Sequence, residues 1–202
     1  ERFYTPGDIV ISNDARATGA FKVDYWNIFR EIENDEHMEE NITEIANALF
    51  ADKIAKTNQP FFPSAAKGIL SAILTHQIRQ GENRMNNQEL RAFLDRSPTA
   101  EIREMLNSYD DFRSMVSYIS DDRSPQTQGV MSELQTTIRE IFIGNFRQNG
   151  TLSIRNLVRQ KMGRKIFIEY DLAIGSMLTP IYRLMFDMAI KEALSVHKTE
   201  GN

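Results

Sequence analysis

A mainly helical fold, a bundle of helices set between strands of an α/β sheet, is what this sequence predicts. Three observations carry the expectation. Apolar residues recur at helical spacing through residues 25–146, short β-branched runs stand before and after that stretch, and capping residues with prolines punctuate it. Strand, helical bundle, strand, helix is the order expected when a helical module is inserted into a sheet.

The elements follow in order. Asp8-Ile-Val-Ile-Ser12 is a β-branched run bounded by turn residues and reads as a buried strand. A loop follows through residues 13–20. Met38, Ile42, Ile45 and Leu49 then make the stripe of an amphipathic helix, with Asn34 and Asp35 as candidate N-caps and residues 57–60 as its end. After Pro63-Ser64 comes a second helix, carrying Ala66, Ile69, Leu70, Ile73, Leu74 and Ile78 and stopping at Gly81. Asn87 is a candidate cap for a short helix through Leu94. Ser97-Pro98 and Ser124-Pro125 each offer a cap followed by proline at the first helical position. A helix is expected near residues 111–119, and a longer one on Val130, Leu134, Ile138, Ile141 and Phe142, ending at Gly144. Ser153 caps a short helix over residues 154–160, broken at Met162-Gly163. Residues 165–170 read as a second strand and residues 171–175 as a loop. The last helix, about 176–196, carries Met177, Leu178, Ile181, Leu184, Met185, Met188, Ala189 and Ala193, a face broad enough to predict burial on more than one side.

Composition narrows the functional classes. A chain of 202 residues with 41% hydrophobic content can bury a real core, which excludes a disordered chain. Without cysteine there is no disulfide framework, thiolate metal site or thiol nucleophile, which fits a reducing compartment. A net charge of −4 argues against coating nucleic acid by bulk electrostatics, while leaving room for a local basic patch. No signal pattern opens the sequence, and no window approaches the ~20 clean apolar residues of a bilayer span. The chain lacks an initiator Met and begins abruptly before a strand, so a piece of a longer protein is expected.

Catalytic signatures are absent from the sequence. No glycine precedes a lysine, so no phosphate loop of the Gly-x-x-x-x-Gly-Lys type exists, and no Gly-x-Gly-x-x-Gly exists either. No nucleotide hydrolysis, cofactor or metal is therefore expected for the chain alone. Residues 166–171 end in an acid, Asp171, like a magnesium-binding strand, but out of context this reads as a strand and turn. His37, His76 and His197 share no ligand spacing, and His76 reads as a satisfied core or boundary histidine. Glu39-Glu40, Asp110-Asp111 and Asp121-Asp122 read as solvated surface.

Two charge runs stand out. Residues 31–44 hold seven acids and no Lys or Arg, and residues 144–168 hold six bases and no acid. In the basic run, Arg147, Arg155, Arg159 and Lys161 are the candidate nucleic-acid contacts, since helix positions 155 and 159 lie one turn apart and can reach neighbouring phosphates. The alternative is a basic helix face compensated by acids elsewhere in space. Trp26, the only tryptophan, is expected to be a buried anchor where strand hands over to helices, with a surface contact for a partner as the rival reading.

Three segments together carry a family resemblance. Asp8-Ile-Val-Ile-Ser-Asn-Asp14-Ala-Arg16 followed by Tyr25-Trp-Asn-Ile-Phe29, then Gln59-Pro-Phe-Phe62 with Ala65-Ala66, then Leu152-Ser-Ile-Arg-Asn-Leu157 with the following strand and helix, resemble conjugative DNA-transfer coupling proteins of type IV secretion systems. The family's usual Asn-Pro before the Asp-x-Arg is Ser12-Asn13 here, and its phosphate loop and Asp-Glu strand are missing. The resemblance implies the all-alpha domain of a RecA-like motor, flanked by parts of that motor: residues 1–24 as strand and loop, 25–150 as the all-alpha domain, 151–202 as returning helix, strand and long helix. It also implies a parent that is a membrane-anchored, homohexameric ATPase using ATP and magnesium on the cytoplasmic face. This module would recognise relaxase-bound DNA or effector proteins. A stand-alone helical adaptor for protein partners is the competing function.

Overall fold

The structure, a computed structural model, describes residues 7–13, 24–32, 36–160, 163–169, 173 and 175–199. The candidate caps Asn34 and Asp35, the Asp14–Arg16 motif, Asp171 and Lys161 fall outside these residues. Strands β1 (Ile9–Ile11) and β2 (Ile166–Ile168) pair in parallel, with Ile9 opposite Ile166, Val10 opposite Phe167 and Ile11 opposite Ile168. The connection between them is the helical module, so a bundle is inserted between neighbouring strands of an α/β sheet. Each strand is three residues long, shorter than the pattern suggests, and its flanks add bonds to the pair. The Ile9 amide donates to Lys165 O and the Glu169 amide to Ile11 O, each at 2.9 Å, and Asp8 Oδ1 accepts from the Lys165 amide at 3.1 Å.

Within the module, α1 (Met38–Lys56) buries Ile42, Ile45, Leu49 and Phe50, the stripe read from the sequence plus one aromatic. His37 occupies its N-cap position without a side-chain cap bond. Helix α2 (Phe61–Arg79) begins at Phe61, ahead of the expected start, with Pro63 inside its first turn, where amide donors have no helical partner to lose. It is buried nearly all round and packs on α1 and on α6 (Pro125–Ile141).

Several boundaries differ from the sequence reading. Asn86, not Asn87, caps α3 (Asn87–Arg96), in a capping box with Glu89. Ser97 closes α3, and α4 (Thr99–Asn107) starts after Pro98, whose extended backbone takes the cap position. The helix expected over 111–119 is one α turn, α5 (Arg113–Val116), between two 3-10 turns. Phe112, Val116 and Ile119 are still buried, so the apolar period survives where the hydrogen-bond ladder does not. At α6, Ser124 Oγ accepts from the Gln126 amide and Pro125 opens the helix, as expected.

Helix α7 (Ile154–Arg159) is capped by Ser153, and α8 (Gly175–Thr199) packs on α7 and α1. The expectation that α8 is buried on more than one side is corrected. Leu178, Ile181, Leu184, Met185 and Met188 are buried, but Met177, Phe186, Ile190 and Leu194 are exposed, the last three at 54%, 57% and 64%. The helix shown buried on most sides is α2. Among the described residues no helix is long and apolar enough to cross a membrane.

Candidate nucleic-acid interface

The chain enters and leaves the helical module at one place. Trp26 and Leu152 form an isolated parallel bridge, with the Leu152 amide donating to Tyr25 O and the Asn27 amide to Leu152 O, each at 3.0 Å. The Asp24 carboxylate accepts from the Thr151 amide at 2.8 Å and from its hydroxyl at 2.5 Å. Gly150 permits this approach, since a Cβ there would overlap the Tyr25 carbonyl. Trp26 is 2% exposed, and its ring meets Phe146 edge-on at 6.3 Å.

Glu31 completes the joint and is the residue that sequence reasoning missed. It is fully buried, and its carboxylate accepts from Trp26 Nε1 at 2.7 Å, Ser153 Oγ at 2.9 Å, and the amides of Ile154 at 2.6 Å and Arg155 at 3.2 Å. An acid from the start of the module thus caps a helix more than a hundred residues later. Burial pushes the carboxyl above its ordinary value of 4.5, against the pull of these four donors. Within the acidic run nothing marked Glu31, although its apolar neighbours Phe29 and Ile32 were a usable signal.

A second buried polar group ties the other side of the joint. Asn87 Nδ2 donates to Trp26 O at 2.8 Å and to Phe146 O at 3.0 Å, while Asn87 Oδ1 accepts from the Ile28 amide at 3.0 Å. The segment after α6 is held to β1 as well: the Asn145 amide donates to Asn13 Oδ1 at 2.9 Å, and Asn145 Nδ2 to Ser12 O at 2.8 Å. Gly144, at φ +51°, makes the turn, and a Cβ there would strike Asn13.

The candidate basic residues have different fates. Arg155 and Arg159 share α7, but Arg155 Nη2 lies 2.9 Å from Glu44 and Arg159 Nε 2.5 Å from Glu192. Lys191 also pairs with Glu44, at 2.6 Å. The two charge runs therefore meet: Glu44 neutralises Arg155, and Glu31 takes the amides at the head of α7. Arg147 is exposed and carries no ion pair among the described residues. Lys161 lies outside them.

Other candidates assemble no chemistry. Among the described residues no group of three or more His, Asp or Glu could hold a metal ion. Asp110, Asp111 and Asp122 pair with Arg113, Arg79 and Arg103, so these acids are surface groups with partners. His76 differs from the satisfied histidine expected: its Nδ1 is buried without a hydrogen-bond partner, and its ring meets Tyr109 edge-on at 5.5 Å. Burial, then the charge of Arg79, holds it below the ordinary 6.5. A cavity of about 440 Å³ runs beside β1 between Ile11, Trp26, Phe146 and Leu152. Its acids Asp8 and Asp24 are already committed to Lys165 and Thr151.

A family model described as the type IV secretion-system coupling protein DNA-binding domain matches residues 1–202. The chain belongs to this coupling-protein family. Among solved structures, the bacterial conjugative coupling protein TrwBdeltaN70, in a trigonal form with sulphate, is similar with a TM-score of 0.68 and 18% identity. That likeness covers 96% of this chain and 42% of the solved one. Its unbound monoclinic form gives 0.68 and 17%, with the same coverage. The plasmid coupling protein TrwB in complex with ADP and Mg2+ gives 0.62 and 16%, over 94% of this chain and 46% of that one. Such identities establish a shared fold, and the chain spans less than half the length of these coupling proteins. A comparison with curated proteins gave no match.

Proposed function

We propose that this chain is the substrate-recognition module of a conjugative coupling protein, contacting DNA and delivering relaxase-bound DNA or effector proteins to a secretion channel. The observation that carries the reading is the match of the whole chain to a coupling-protein DNA-binding domain. Two three-residue parallel strands support it over a stand-alone adaptor, because so short a pair is not an independently stable sheet. We read residues 1–24 and 151–202 as parts of the motor domain and 25–150 as the all-alpha domain. The contact between Asp24 and Thr151 supports that division. The parent is read as a membrane-anchored homohexameric ATPase on the cytoplasmic face, using ATP and magnesium. TrwB has been solved with ADP and Mg2+ and with GDPNP.

Fluorescence anisotropy with labelled single- and double-stranded DNA over a salt series tests the DNA contact. A net charge of −4 limits attraction, so binding is expected on the order of 10⁻⁴–10⁻⁶ M, independent of base sequence and lost as salt rises. Absence of binding to either form at low salt would overturn the reading.

A further inference from the structure

Three arginines that pair with no carboxylate among the described residues lie within three residues of the contacts Asn87 makes. Arg84 stands three residues before Asn87, Arg30 two residues after the bonded Ile28 amide, and Arg147 next to the bonded Phe146 carbonyl. Three residues of chain span at most about 11 Å, so each arginine Cα lies within about that distance of Asn87 or of a backbone group that Asn87 bonds. Arg30 and Arg147 are exposed and Arg84 is half-buried. None of the three guanidinium groups has an ion pair or hydrogen bond among the described residues. Many other arginines are held by acids, as Arg79 is by Asp111, Arg103 by Asp122 and Arg139 by Asp95. Arg96, Arg123 and Arg164 are unpaired among the described residues but lie apart from Asn87 in sequence.

The positive charge of Arg30 acts on Arg84. Burial first, and the charge of Arg30 second, pull the Arg84 guanidinium below its ordinary value. The two like charges adjoin in a chain whose acids outnumber its bases, 28 to 24. Such a local conflict is what a binding site for an anion leaves in the unbound state. The backbone beneath is fixed: Asn87 holds the segments that carry Arg30 and Arg147, and Arg91, one turn further along α3, donates to the Phe142 carbonyl. The backbone that carries the three side chains is thus set before any ligand arrives, while the guanidinium groups themselves are ordered on binding.

We propose that Arg30, Arg84 and Arg147 form the surface on which this chain holds the phosphate backbone of DNA, at the joint between helices and strands. The proposal rests on the DNA-binding reading above and moves the contact away from Arg155 and Arg159. Guanidinium forks suit successive phosphates of one strand and carry no base information.

The test uses the whole chain and fluorescein-labelled DNA of 30 nucleotides, single- and double-stranded, across about 50–200 mM salt. Arg30→Ala/Arg84→Ala/Arg147→Ala is compared with wild type, with the triple lysine variant and with Arg155→Ala/Arg159→Ala. Helical circular dichroism and Trp26 emission check each fold. For the triple alanine variant the expected result is a loss of about tenfold or more at low salt, and a log–log salt slope shallower by roughly 0.9 per lost phosphate contact on duplex. The lysine variant should keep most of the affinity and the α7 double variant all of it. If wild type binds and the folded triple alanine variant binds equally well, the proposal is overturned while the DNA reading stands. If wild type binds no DNA, that reading itself falls. A lysine variant as weak as the alanine variant would overturn a backbone-charge contact at this surface.

Discussion

At the residue scale, Glu31 links the head of the module to its tail through four accepted hydrogen bonds, two of them from the first turn of α7. Replacing it leaves buried donors unpaired, at about 1–3 kcal/mol each, so Glu31→Ala should lose about 3 kcal/mol or more in urea unfolding. Trp26 reports the same event. In wild type its emission should be blue and poorly quenched by iodide, and in Glu31→Ala quenching should rise. Glu31→Gln should fall between, because an amide turns one N–H group toward other donors. His76 gives the pH test. Its folded-state value lies below the ordinary 6.5, so the unfolded chain takes up protons first. The stability it confers is complete above 6.5 and is lost as pH falls through the depressed value. In His76→Phe, melting midpoints between pH 7.5 and 5 should vary less than in wild type; an unchanged profile would assign that dependence to other groups. The role of Glu31 has only a faint trace in the sequence, its apolar neighbours Phe29 and Ile32, because desolvation of one acid among seven is a product of tertiary structure. A histidine on a mostly apolar helix looks satisfied until its partner proves to be an aromatic edge.

At the element scale, the close crossing of residues 25–27 and 150–152 depends on a missing side chain. Gly150→Ala must push the Tyr25 carbonyl away and break the paired bonds between Leu152, Tyr25 and Asn27. A loss of about 3 kcal/mol is expected by thermal or urea denaturation, the upper range for forced overpacking; a change within experimental error would mean that the crossing relaxes freely. This also marks how far the sequence could be read. The helices with strong period, α1, α2 and α6, and the caps Ser124 and Ser153 stood out because local chemistry determines them. Asn87 was misread because two adjacent asparagines are equally good caps locally, and only the packing sends one to the helix end and the other inward. Pairing of Arg155 with Glu44 depends on contacts 111 residues apart, which no local pattern encodes.

At the scale of the whole molecule, α8 divides into a face that belongs to the core and one that does not. Leu184→Ala should cost about 2–5 kcal/mol, since Leu184 is fully buried. Phe186→Glu should stay within about 0.5 kcal/mol in the same assay, because more than half of its surface already meets solvent. Equal losses would place Phe186 inside the core. The joint at Trp26 and Leu152 also sets how forces pass between the two parts. A module on a single strand of chain can swivel about that strand, since backbone torsions there turn freely. Here two crossings lie side by side and are hydrogen-bonded to each other, and α8 braces α1 from a third direction. Such a mount transmits torque: a twist of the strand pair turns the bundle with it, and a load drawn across the bundle is felt at the strands.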